Sequence, residues 1–128
     1  MPHLRIEYSQ NLKDRLDAQA FCDAMHTAML ATGLFEVGAI RVRAYCADAY
    51  AVGDLLPQNG FVDMTLLVAE GRGAEALKRA GDDFFAVAKA HLAAFSATPH
   101  FALGFRIEII DGALNWKHNT LHARLRRV

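Results

Sequence analysis

Little in this sequence is in excess. Only two of its 128 residues are cysteine. Cys22 and Cys46 form no CxxC pair and fall in a helix-like and a strand-like segment, so both are read as reduced core thiols. No charge dominates: fourteen Lys and Arg balance fourteen Asp and Glu, leaving no overall field to draw in nucleic acid or an anionic membrane. No apolar run approaches the roughly 20 residues of a bilayer span. The first residues lack the basic and apolar regions of a secretory signal, and a cytoplasmic location is expected. There is no Gly-rich phosphate loop, Gly71-Arg72-Gly73 being too short for one. Ser9, Ser96 and the two cysteines have no His or Asp arranged to make a nucleophile. His118 and His122 stand four apart, but with no carboxylate or cysteine at ligand spacing no metal site is expected, and no cofactor.

What is present suits one packed domain over residues 1–128, 53% hydrophobic and 22% charged. A strand starts almost at once, because Leu4, Ile6 and Tyr8 alternate with His3, Arg5 and Glu7. After a polar connection over 9–16, Asp17 is placed to cap a helix whose stripe is Ala20, Phe21, Ala24, Met25, Ala28 and Met29, with Gly33 as its stop. A second strand sets Ile40, Val42, Ala44 and Cys46 against Arg41, Arg43 and Tyr45, so two arginines share one face. Pro57-Gln58-Asn59-Gly60 is a turn between halves.

The second half repeats the order. Phe61 to Val68 reads as a strand and Glu70-Gly71-Arg72-Gly73 as a turn. The helix after it buries Leu77, Ala80, Phe84, Val87, Ala88, His91 and Phe95, with Pro99 just beyond it. Phe101 to Ile110 is the fourth strand, with Leu103, Phe105, Ile107 and Ile109 facing one way. Residues 111–128 form a basic extension carrying Leu114, Trp116 and Leu121. The fold expected is α/β (α+β): two fused βαβ units, 2–48 and 61–110, each pairing its strands in parallel. They make a four-stranded sheet with both helices on one face. Pro2 and Phe61 stand 59 residues apart, a weak internal repeat. The other sheet face is expected to be apolar enough to need a partner subunit.

Pro2 has two readings. Proline lacks an amide hydrogen and is tolerated at a strand's first residue. Alternatively, loss of Met1 leaves a secondary amine on a rigid element, available as a general base. A 1,3-proton shift needs such a base together with positive charge where a dienolate oxygen develops. Burial and neighbouring guanidinium groups would keep the amine neutral.

The Pro2-initiated strand, the arginine pair in Ile40-Arg41-Val42-Arg43 and the Glu70-Gly71-Arg72 turn together resemble the tautomerase superfamily. The length, Ala31-Thr32-Gly33-Leu34-Phe35 and Leu114-Asn115-Trp116-Lys117-His118-Asn119 are most similar to its 5-carboxymethyl-2-hydroxymuconate Δ-isomerase family. The resemblance implies a homotrimer and a keto–enol isomerase of that substrate, or a similar unsaturated di- or tricarboxylate, in aromatic-compound catabolism by homoprotocatechuate degradation. It implies Pro2, Arg41 and Arg72 as catalytic residues and Arg43, Phe101 and Asn115 as substrate-binding ones. The second unit starts inside the chain at Phe61, and the first has Asn11-Leu12-Lys13 where the second has Glu70-Gly71-Arg72, so one active centre per chain is expected. His3 is expected on the opposite face from the core. Arg5, Arg106, Arg124, Arg126 and Arg127 are expected as solvated or interface charges. Two other readings share the apparatus: a non-enzymatic trimeric interaction protein, with Arg41, Arg43 and Arg72 in salt bridges, or another proline-dependent enzyme, a hydratase or dehalogenase of unsaturated acids.

Overall fold

The computed structural model describes residues 1–126; the expectation for Arg127 lies outside the described residues. Strand β1 (His3–Ser9) leads through a short 3-10 turn at Gln10–Leu12 into helix α1 (Ala18–Ala31), and a second such turn at Val37–Ala39 precedes β2 (Arg41–Ala47). The second unit runs β3 (Gly60–Ala69), α2 (Ala74–His91), a helical turn α3 (Ala93–Ser96) and β4 (Phe101–Ile110). The chain then continues through a 3-10 turn at Gly112–Leu114 to α4 (Leu121–Leu125).

The sheet order is β2-β1-β3-β4. Each unit pairs its own strands in parallel, while β1 and β3 meet antiparallel at the centre. The repeat is visible in this register. A shift of 59 positions carries the pair His3–Leu67 onto Val62–Tyr8, which is also paired. The two units are therefore related by a pseudo-two-fold axis between the central strands.

The core forms where the period-2 faces of the strands meet the helical stripes. Leu4, Ile6, Val62, Met64, Leu66 and Val68 are all at most 1% exposed, and they pack with Phe21, Met25 and Met29 of α1 and Leu77 and Phe84 of α2. Each such side chain contributes about 1.5–3 kcal/mol relative to exposure. Asp17 caps α1, its carboxylate accepting from the Ala20 amide at 3.0 Å. Gly33 follows the helix with φ +67°.

Three expectations change. Alternation holds on the second sheet face, but its side chains include Arg5, Glu7, Arg43, Asp63, Arg106 and Glu108, and the pair Arg106–Glu108 closes at 2.9 Å. That face is charged rather than an apolar patch. The stripe assigned to α2 is interrupted at Leu92 (φ −101°, ψ 16°), which puts Phe95 on α3. His91 is exposed, its ring lying 5.1 Å from that of Phe21. Finally, the 9–16 connection is not wholly polar, since Leu12 and Leu16 are buried.

Candidate active site

The register gathers chemistry at one end of the sheet. Parallel pairing sets His3 beside Arg41, and side chains at paired positions share a face. Antiparallel pairing sets His3 beside Leu67, so the end of β3 and the turn after it lie against the start of β1. Gly71 sits in that turn at φ +108°, a conformation glycine adopts without the penalty of a Cβ, and Arg72 follows.

Arg72 is half-buried and held on two sides. Its guanidinium donates to the Ala69 carbonyl at 3.2 Å and lies 4.9 Å from the centre of the Phe35 ring, a cation–π contact. Arg41 is held by His3 Nε2 at 2.9 Å, and its amide donates to the Pro2 carbonyl at 3.2 Å. Pro2 is fully buried. Met1, Arg41, Arg72 and Asn115 line one cavity of about 620 Å³ together with His3, Glu36 and residues of the extension.

The electrostatics follow from this crowding. Burial, and then the charges of Lys117, Arg41 and Arg72, hold the amino group at Met1 below its ordinary value of 8.0. His3 is lowered to about 4 by burial, by the terminal amino group and by Arg41, Arg43 and Arg5. Arginine can only donate, so Nε2 of His3 must accept and the ring must be neutral.

The extension closes the other side of the cavity. The Gly112 amide donates to Glu70 Oε1 at 3.2 Å. Asn119 donates to the Gly38 carbonyl at 2.8 Å. Arg126 grips both oxygens of Glu36, at 2.6 and 2.7 Å, and this pairing lowers the Glu36 pKa. Nδ1 of His122 is buried 3.4 Å from Glu36 Oε2. Arg126, solvent-exposed as expected, is ion-paired at the cavity rim.

Of the residues singled out in the sequence, Arg41, Arg72 and Asn115 come together around the end of β1 that Pro2 begins. Arg43 lies further along β2, opposite Arg5, and does not line the cavity. Phe101 pairs with Gly60 at the far end of β3, roughly 23 Å along the strand from Leu67, where it packs against Phe95 at 5.6 Å. His3, Glu36, Lys117, Asn119 and Arg126 line the cavity without having been assigned to it. Among the described residues no three His, Cys, Asp or Glu side chains converge as metal ligands, His118 and His122 included.

The pseudo-equivalent end is built differently. The amide of Phe61, the counterpart of Pro2, is occupied in donating to Ser9 Oγ at 2.9 Å. Asn11 fills the adjoining space, donating to the Pro57 and Asn59 carbonyls at 3.1 and 2.8 Å. A separate groove between α2 and β4, lined by Leu77, Phe85, Phe105 and Ile107 among others, is chiefly apolar and is not the place where the chain's cations converge.

Comparison with known proteins gives the family. The 5-carboxymethyl-2-hydroxymuconate isomerase family matches residues 2–125. The 5-carboxymethyl-2-hydroxymuconate Delta-isomerase of Escherichia coli is 33% identical over 123 residues, covering 96% of this chain and 98% of that one. The crystal structure of a 5-carboxymethyl-2-hydroxymuconate isomerase from Deinococcus radiodurans R1 superposes with a TM-score of 0.90 at 37% identity, over 96% of this chain and 92% of that chain. The F6 fused 4-OT wild-type asymmetric trimer shares the fold at 14% identity, with a TM-score of 0.66 over 91% of this chain and 92% of that chain. By sequence and by fold, the chain belongs to the 5-carboxymethyl-2-hydroxymuconate isomerase family.

Proposed function

We propose that this isomerase catalyses the 1,3-proton shift of 5-carboxymethyl-2-hydroxymuconate, or of a closely similar unsaturated polycarboxylate, in aromatic catabolism, with the Pro2 nitrogen as the base. The observation that carries the reading is that the chain's amino end enters the same cavity as Arg41 and Arg72. Removal of Met1 leaves the Pro2 nitrogen where the chain now enters that cavity. The surroundings that depress the Met1 amine, namely burial and three cations, would then act on a secondary amine and favour its neutral, proton-accepting form.

In the reaction, Pro2 takes the proton from the enol oxygen. The electron pair moves through the conjugated system as a dienolate, and the proton returns at carbon. Atoms and electrons balance without an oxidant or reductant. Arg41 and Arg72 bind carboxylates, and whichever faces the developing oxyanion stabilises it. Their hydrogen-bonded and stacked positions mean little reorganisation at the moment of charge development. Asn115 supplies a neutral polar contact. Phe101 can reach this cavity only from a neighbouring subunit, and we place it there within a homotrimer, the assembly named for the fused 4-OT protein. Arg43 acts at longer range through the field on His3. Membership of an isomerase family favours this reading over an interaction protein without activity.

The test is direct: purified protein should convert 5-carboxymethyl-2-hydroxymuconate to its keto tautomer, followed by loss of the conjugated absorbance. Absence of turnover by protein whose intact mass shows Met1 removed would contradict it.

A further inference from the structure

The charged side chains lining the cavity, among the described residues, are Arg41, Arg72, Lys117, Arg126 and Glu36. Arg126 and Glu36 form a bidentate pair and neutralise each other. Three cations remain, each from a different element: Arg41 from β2, Arg72 from the turn before α2, and Lys117 from the extension. Arg41 and Arg72 have partners that fix them in place. Lys117 has no carboxylate within 4.0 Å among the described residues.

A cleft lined by charge of one sign attracts ligands of the opposite sign. Two carboxylates would match Arg41 and Arg72 and leave Lys117 unanswered. The segment bearing Lys117 is not a free tail, since Gly112 is tied to Glu70 before it and Asn119 to Gly38 after it. Its backbone is therefore held at the cavity while the flexible stem places the ammonium. Lysine suits this role as a compact charge with rotatable donors, where a fixed fork is not required.

We infer that Lys117 is a specificity residue that binds a third carboxylate, making this cavity selective for tricarboxylates over dicarboxylates. The inference rests on the proposed site but not on its chemistry. It lines the same cavity as the amino end of the chain and Glu36.

Binding of inert acids tests this separately from turnover. Propane-1,2,3-tricarboxylate and glutarate differ by the central carboxylate alone, and calorimetry on the mature protein gives each affinity. The wild type should prefer the tricarboxylate by roughly ten- to a hundred-fold, the range of one charge-assisted contact. Lys117→Met should reduce that preference to near unity, and Lys117→Arg should retain most of it. Lys117 is exposed, so the variants should fold, which circular dichroism checks. A preference that persists in Lys117→Met overturns the inference even if the isomerase is active. If the preference behaves as stated while the wild type turns over no muconate, the subsite stands and the proposed reaction fails.

Discussion

The guanidinium of Arg41 donates to Nε2 of His3 at 2.9 Å across the parallel β1–β2 pair. This contact requires a neutral histidine, and the burial and positive charge around His3 keep it so, its pKa lowered to about 4 from an ordinary 6.5. His3 is a positioning residue: it aims Arg41 without needing to meet the substrate.

Between those two values the unfolded chain binds more protons than the folded one. The stability that neutral His3 contributes is thus complete above about pH 6.5 and is lost as pH falls towards about 4. His3→Leu, which removes the acceptor, should weaken binding of an inert dicarboxylate by about tenfold. His3→Gln keeps an acceptor and should recover most of that affinity. The wild type should also lose more stability between pH 7 and pH 5 than the His3→Gln protein, by denaturant titration at each pH. Equal losses would remove His3 from this role.

Gly38 sets how closely the extension approaches the sheet. A Cβ there would lie 2.9 Å from His122 Nδ1 and 3.3 Å from the His122 backbone nitrogen, and backbone cannot step aside as a flexible side chain can. Gly38→Ala should cost about 1–3 kcal/mol by overpacking and raise KM several-fold as the segment holding Asn115 and Lys117 shifts. Glu36→Gln, at an exposed pair, should change thermal stability little. Thermal unfolding and steady-state kinetics on the two proteins check the order of effects.

The open sheet face carries charges, so assembly through it would depend on complementary pairing rather than on apolar burial. Light scattering at micromolar concentration should give three times the protomer mass, with the trimer weakening as salt rises. A monodisperse monomer at low salt would count against the assembly proposed above, and against any part for Phe101.

Much of the fold could be read from period alone. Leu4, Ile6 and Tyr8 against the stripe Phe21, Met25 and Met29 specify strand and helix with opposite periodicities, and Asp17 and Gly33 mark the helix ends. The central antiparallel pairing was legible only as a repeat spacing. The site was legible where a residue sits on a regular element, as Arg41 does, or beside a glycine turn, as Arg72 does. His3 could have been found by the same parity: opposite Leu4 on its strand, it must share a face with Arg41 once the strands run parallel. Lys117, Asn119 and Glu36 carried no such signal. Their place depends on the extension returning across Gly38, a contact between residues 81 positions apart. The open face differs from the apolar one expected because Arg5, Glu7, Arg43, Asp63, Arg106 and Glu108 alternate with the core residues of their strands, and the period guarantees only one apolar face.

The central claim is that the Pro2 nitrogen is the base, and the rate of the Pro2→Ala protein tests it most directly. That variant keeps a free amine of different basicity on a looser chain end, while Arg41 and Arg72 stay in place. Its kcat should fall by roughly 10²–10⁴ while affinity for an inert dicarboxylate stays within about twofold. The ascending limb of its kcat/KM profile should shift with the new amine. In the wild type that limb should move to higher pH when Arg72 is replaced by Ala, since a lost positive charge no longer opposes protonation. A Pro2→Ala protein with the wild-type rate and an unmoved limb would contradict the account.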